Sequence, residues 1–347
     1  MLKDKTIKNL FIIFLSTRIL YLLFQFIFTI ILNNNFVDVF YFMDSSNYLH
    51  IAKYGYNEDK YYAFFPLIPI LIKLFGLYGV VILNNILSFL SSIFLYKLFN
   101  KETAILFLLS PIQIFCYIPY TESIFIFLSI LTFYLYKNKK YFYMGISLGL
   151  GVCCRSMTSM LFFSIFIDFI INIKNKKNEF KNLIITFIPA TIISCLYPLY
   201  LYVKTNNWKY FVDVQYKYWD AKKSNIFKVL FEDVKSFFIQ DIYGKYLILL
   251  TYVALILLLL VFIKYKKVEN VLILYTLFTI LITFSTCKNL YLEASFPPST
   301  SYFRYFLSCF PLYVGLSYLK HNKLIKTILI FLNIIISINF ILNGWPF

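Results

Sequence analysis

Apolar runs of roughly the length that crosses a bilayer recur throughout this chain, and lysine clusters fall in every second loop between them. Within hydrocarbon only a helix or a closed barrel can satisfy its own backbone, and a crossing helix takes about 20 apolar residues. The candidate spans are Leu10–Leu32, Val80–Tyr96, Ala104–Ile118, Ile124–Tyr136, Phe142–Cys154, Met157–Ile173, Leu183–Val203, Leu247–Ile263, Val271–Thr286, Phe303–Leu319 and Leu324–Leu342. Phe64–Phe75 is also apolar, but Pro66 and Pro69 favour a short helix or re-entrant piece leading into the next span. Only 14% of the 347 residues are charged and 61% are hydrophobic, whereas a soluble domain carries about 25% charge. The expected fold is therefore all-α and polytopic, with about eleven transmembrane helices. It forms one domain, residues 1–347, with no internal repeat or flexible linker.

The formal charge of +17 would point a soluble protein toward nucleic acid. Here it resolves into clusters at Lys3, Lys5 and Lys8; Lys97 and Lys101; Lys137, Lys139 and Lys140; Lys174, Lys176, Lys177 and Lys181; Lys264, Lys266 and Lys267; and Lys320, Lys323 and Lys326. Such clusters mark cytoplasmic loops, so no nucleic-acid partner is expected and the contact is membrane lipid. Residues 33–62, 119–122, 204–245 and 288–301 then share the opposite side. They hold Asp38, Asp44, Glu58, Asp59, Asp213, Asp220, Asp241 and Glu293. Acidic residues contribute little to topology, so their concentration there points to a functional surface facing away from the cytoplasm. Localisation is multi-pass integral membrane: a plasma membrane in a prokaryote, an endoplasmic reticulum membrane in a eukaryote. The first span is too long for a signal-peptide core and reads as retained. Six cysteines without a CxxC pair, and only two histidines, support neither a disulfide framework nor a metal site. No cofactor is expected.

The loop after the first span carries MDSSNYLHIAKYGY, from Met43 to Tyr56. Ser45–Tyr54 has the pattern of a short interfacial helix, with Asp44 as its N-cap and Gly55 as its stop. A carboxylate held there can also take a proton from an attacking hydroxyl, which makes Asp44 the candidate general base, with Asp38 not separable from it on capping grounds. His50 lies on the same helix; it suits an interface anchor or a substrate contact. Arginine occurs only at Arg18, Arg155 and Arg304, all within or beside apolar spans. At that depth a guanidinium is paired or lines a cavity, and its planar fork matches a phosphate. Gln215 and Trp219, four apart in WKYFVDVQYKYWD, would share one face of an interfacial helix over a lipid-linked substrate.

In order, these elements resemble the PIG-V-type family, the glycosylphosphatidylinositol mannosyltransferase 2 type and its prokaryotic relatives. That family's first loop reads approximately Trp-Asp-x-x-His-Tyr-x-x-Ile-Ala-x-x-Gly-Tyr and then Phe-Phe-Pro-x-x-Pro. The matching residues are Asp44, Tyr48, Ile51, Ala52, Gly55 and Tyr56, then Phe64, Phe65, Pro66 and Pro69, with Met43 and Asn47 replacing the tryptophan and histidine. SPIQIFCYIPYTESIF, GISLGLGVCCRSMTSM, VQYKYW and SYFRYFLSCFPLY are similar to its later elements. The resemblance implies a GT-C-type glycosyltransferase that moves a sugar, mannose above all, from a polyprenyl-phosphate carrier to a lipid-linked or glycan acceptor. On that footing Asp44 is the base, Arg155 or Arg304 holds the carrier phosphate, and Glu122 is a polar contact in the same cavity. The competing expectations are a lipid or solute transporter, which would put its ionisable groups near mid-span, and a non-catalytic partner subunit of a transferase.

Overall fold

The computed structural model describes residues 4–173, 178–263, 268–288, 297–320 and 322–343. Lys3, Lys174, Lys176, Lys177, Lys264, Lys266, Lys267 and Glu293 lie outside the described residues. Helix α1 (Lys5–Leu32) is capped by Asp4, whose carboxylate accepts from the Thr6 amide. A short helix α2 (Asp44–Tyr54) follows, then α3 (Leu67–Leu98), which is broken at Gly76, where φ is +72°. The residues after Pro66 thus form the expected short helical piece, joined to the following long helix through a backbone conformation that favours glycine. Next come α4 (Lys101–Leu109), α5 (Gln113–Tyr117), α6 (Glu122–Lys137), α7 (Tyr141–Cys154), α8 (Thr158–Ile173) and α9 (Asn178–Thr205). The remainder comprises α10 (Tyr210–Tyr218), α11 (Ile226–Ile239), α12 (Ile242–Ile263), α13 (Asn270–Phe284), α14 (Tyr302–Ser308), α15 (Pro311–Ser317) and α16 (Asn322–Asn343). One two-stranded antiparallel ribbon pairs β1 (Ala221–Lys223) with β2 (Thr286–Lys288).

Five of these helices, α1, α3, α9, α12 and α16, are long and apolar enough to cross a membrane; α7, α8 and α13 are shorter apolar helices. Ile12, Ile19, Phe26 and Ile30 of α1 all face outward. In water such a surface would aggregate; in lipid it is the solvated surface. The chain is a helical membrane protein.

Two expected spans are not continuous. Residues 104–118 divide at Ser110-Pro111 into α4 and α5, and residues 303–319 divide at Phe310-Pro311 into α14 and α15. Proline removes an amide donor and clashes with the preceding turn, so carbonyls are released that must find other partners. The Gln113 side chain donates to Phe107 O (3.1 Å), and Tyr313 donates to Leu307 O (2.6 Å) and to the Ser110 hydroxyl (3.0 Å). The two breaks therefore support each other inside the bundle, where helix-breaking backbone is tolerated.

Polar contacts show which helix ends lie together. Tyr96 donates to Asp4 (3.3 Å), Asn100 to Ser317 (3.1 Å), Lys137 pairs with Glu269 (2.9 Å), and Lys326 pairs with Glu102. The starts of α1, α4, α13 and α16 thus meet the ends of α3, α6 and α15. Lys97, Lys101, Lys137, Lys323 and Lys326 gather at this end, as the alternation of lysine loops requires.

Close packing of α7 on α9 rests on two glycines. A Cβ at Gly145 would strike the Thr186 carbonyl and Pro189, and one at Gly149 would come within 2.6 Å of Ile193 Cβ. Small residues are what let membrane helices approach this closely. Gly149→Leu is expected to destabilise the fold by about 1–3 kcal/mol, the usual cost of overpacking, read from unfolding in mixed micelles.

Helix α11 is amphipathic. Val229, Asp233 and Ser236 are fully buried, while Phe227, Phe231, Val234 and Phe238 are 80, 61, 59 and 78% exposed. Burial pushes the Asp233 carboxyl up to about 6, against the lowering effect of hydrogen bonds from Tyr252 and Ser299. An unfolded aspartate titrates near 4, so the folded chain binds more protons between about pH 4 and 6 and loses stability as pH rises through that window. Asp233→Asn is expected to flatten this slope and to raise stability above about pH 6, measured by unfolding across a pH series.

Candidate functional site

Away from the lysine-rich end, four helices deliver four charged side chains to one place. Glu122 is the first residue of α6, where the positive end of the helix dipole favours an acid. Its approach is fixed by Asn84 of α3, whose amide donates to Ile118 O (2.6 Å) and Tyr120 O (2.9 Å). Arg155 caps α7 in extended conformation, its amide bonded to Gly151 O (2.9 Å). Arg304 lies in the first turn of α14, three residues after Ser301, a non-glycine residue at φ +76°. Asp44 begins α2.

The predicted capping role of Asp44 is not what the structure contains. Met43 occupies the N-cap position at φ +45°, α2 starts at Asp44 itself, and no side chain caps the helix. Without a capping bond the Asp44 carboxylate turns inward to Arg304. A methionine held at positive φ costs on the order of 1–3 kcal/mol, and such residues cluster at functional sites.

The cluster is a continuous chain of ion pairs. Arg304 Nη2 lies 3.1 Å from Asp44 Oδ2, and Arg304 Nε lies 3.0 Å from Glu122 Oε1. Arg155 Nη1 pairs with the same Glu122 oxygen. Two carboxylates and two guanidiniums leave no net charge. Glu122 is completely buried, whereas the Asp44 side chain is 17% exposed, the most open of the four. Asp44 Oδ2 is engaged by Arg304. The arginines also lie against aromatic faces, which favour cations: Arg155 is 4.8 Å from the Tyr305 ring centroid, and Arg304 is 5.6 Å from those of Tyr120 and Phe115. Beside Arg155, the side chains of Phe125, Met157, Tyr275, Thr279, Tyr305 and Ser308 close around a crevice with essentially no room for a water molecule.

Of the residues singled out in the sequence, Asp44, Glu122, Arg155 and Arg304 meet; His50, Gln215 and Trp219 do not join them. His50 stacks on Tyr61 at 4.3 Å and bonds Asn57 at 2.9 Å, which fits an anchoring residue. Gln215 is exposed on α10. Helix α10 ends at Tyr218, Asp220 adopts φ +48°, and half-buried Trp219 turns to Phe64, with ring centroids 5.5 Å apart. The Trp219 amide still bonds Gln215 O at 3.2 Å, so the pair keeps its helical spacing of four at the end of α10, with Gln215 exposed and the Trp219 ring packed on Phe64. Phe64 in turn touches Tyr48 of α2 (5.2 Å), so Trp219 supports the helix carrying Asp44 from a distance. Asp38, the rival to Asp44, accepts from the Asn35 amide (3.0 Å) in its own loop.

Sequence reasoning missed Tyr305, and it placed Tyr120 only within the motif SPIQIFCYIPYTESIF, without a role. Tyr305 follows Arg304 directly and Tyr120 precedes the Thr-Glu pair, yet the aromatic content of the chain hides both. Asp59 and Glu58 form exposed pairs with Lys217 (3.7 Å) and Lys60 (2.8 Å). No group of three or more metal-ligating side chains occurs among the described residues. No protein-family model, curated protein or solved structure matches this chain.

Proposed function

We propose that the chain is an integral membrane glycosyltransferase, with about eleven crossings, that moves a sugar from a polyprenyl-phosphate carrier to a lipid-linked or glycan acceptor. Mannose is the first sugar to test, and the non-cytoplasmic face is the side on which transfer occurs. One observation carries this reading: four ionisable residues from α2, α6, α14 and the end of α7 form a single chain of ion pairs at the end opposite the lysines. A transporter of the kind weighed above keeps its ionisable groups at mid-span between repeats; this cluster is gathered at helix ends, where α2, α6 and α14 begin and α7 ends.

The chemistry divides among the four side chains. An acceptor hydroxyl bound near Asp44 Oδ1 gives its proton to that carboxylate as its oxygen attacks the anomeric carbon. The sugar–phosphate bond breaks, its electron pair passes to the phosphate oxygen, and the configuration at the sugar inverts. Arg155 and Arg304 receive the phosphate, whose charge grows as the bond breaks; donors aimed at developing charge act on the transition state rather than the ground state. Glu122 holds both guanidiniums in register. The crevice beside Arg155 is closed to a water-sized molecule, whereas a ligand cleft holds roughly 300–1,000 Å³, so donor entry involves parting of α13 and α14 from α6.

Membranes carrying the chain, incubated with radiolabelled polyprenyl-phosphate mannose and a lipid extract, are expected to yield a labelled product whose analysis identifies the acceptor. No label beyond that of control membranes, with mannose or another hexose carrier, overturns the reading.

A further inference from the structure

The buried carboxylate of α11 lies outside the ion-pair cluster and has no cationic partner among the described residues. Its two bonds run from Tyr252 of α12 to Oδ2 (2.7 Å) and from the Ser299 amide to Oδ1 (3.2 Å). A fully buried acid that accepts from a backbone amide of a turn is holding that turn in place. Ser299 belongs to the tight turn that launches α14: the Thr300 amide reaches Pro297 O (3.0 Å), the Tyr302 amide reaches Ser299 O (3.1 Å), and Ser301 takes its positive φ. Arg304 follows five residues after Ser299. The titratable groups facing Asp233 are Tyr252 from α12 and Tyr302 from α14, with Cys287 of β2 beyond Tyr302. None of them supplies a positive charge, so the costly burial of this carboxylate is not accounted for by an ion pair.

We infer that Asp233 is a positioning residue for Arg304, fixing through the Ser299 amide the strained turn from which α14 aims its guanidinium at Asp44 and Glu122; only the activity arm of its test rests on the transferase reading. The other face of α11, with its exposed phenylalanines, has the form of a helix lying along a lipid surface.

Asp233→Ala removes both bonds, whereas Asp233→Asn keeps an oxygen for the Ser299 amide and offers an NH₂ group to the Tyr252 hydroxyl, which can turn to accept. Hydrogen–deuterium exchange in residues 297–308 is expected to accelerate in Asp233→Ala and to return close to wild type in Asp233→Asn, with α12 unchanged in both. Sugar transfer should follow the same order: kcat falls on the order of 10²-fold in the alanine variant, the scale of a misplacement of about 1 Å, by more than KM rises, and the asparagine variant recovers it. Should Asp233→Ala not be recovered folded, Asp233→Thr, too short to reach the Ser299 amide, carries the same comparison. Unchanged exchange at 297–308 in the alanine variant, or an asparagine variant as impaired as alanine, overturns the inference. Wild-type protein without transfer activity, but with the expected exchange pattern, removes the transferase reading and leaves Asp233 in this role.

Discussion

Asp44→Asn is expected to reduce sugar transfer by about 10²–10⁴-fold, the contribution typical of a positioned general base, while leaving the protein folded. Asparagine has nearly the shape of aspartate, and its amide oxygen still accepts from Arg304 Nη2, now 3.1 Å from Asp44 Oδ2. Arg304 also retains Glu122 at 3.0 Å, so no guanidinium is stranded. What disappears is the basic lone pair on the most open side chain of the cluster. Transfer rates from purified protein, set beside unfolding in mixed micelles, separate the two effects. Loss of activity with unchanged stability is the expected pairing; an asparagine variant that works at the wild-type rate removes Asp44 from the chemistry. Asp38→Asn serves as the control and should leave transfer within a few-fold of wild type, because the bond Asp38 accepts is confined to its own loop.

Glu122→Leu is expected to have the largest effect on stability, roughly 3–5 kcal/mol, because it leaves two buried cations without their shared partner. The wild-type residue has no exposure, and both arginines meet at one of its oxygens. Desolvation costs several kcal/mol per ion, and the leucine variant keeps that cost for Arg155 and Arg304 while losing the attraction that offsets it. Pairing the change with Arg155→Met restores neutrality, since Asp44 and Arg304 remain as one ion pair. That double variant should recover most of the lost stability, as replacement of a buried pair by apolar residues often does, and should still fail to transfer sugar. Equilibrium unfolding of the single and double variants measures the difference. Equal destabilisation in both would mean that Glu122 acts through packing rather than charge.

The members of the cluster were legible because they break the habits of the chain. Arginine is nearly absent from it, and an acid in a loop without lysine clusters has no topological reason to be there. Their pairing was not legible: Asp44 and Arg304 lie 260 positions apart, and Arg155 and Glu122 lie 33 apart. No local period reports such contacts. Local pattern misled at Asp44, where capping statistics predict a bond that the strained Met43 backbone does not form. Hydropathy locates most helices well, but it does not register hydrogen bonding, so spans drawn from it run through the breaks at Pro111 and Pro311. Asp233 was invisible for a related reason. An acid on an amphipathic helix reads as solvated until the fold shows which face is buried.

The most direct measurement uses the purified chain alone in liposomes, with polyprenyl-phosphate sugar and the identified acceptor, and follows both products. One free polyprenyl phosphate released for each sugar transferred, abolished by Asp44→Asn, is the predicted result. Sugar transfer that occurs only when a second protein is added, or proceeds unchanged without the Asp44 carboxylate, would contradict the assignment.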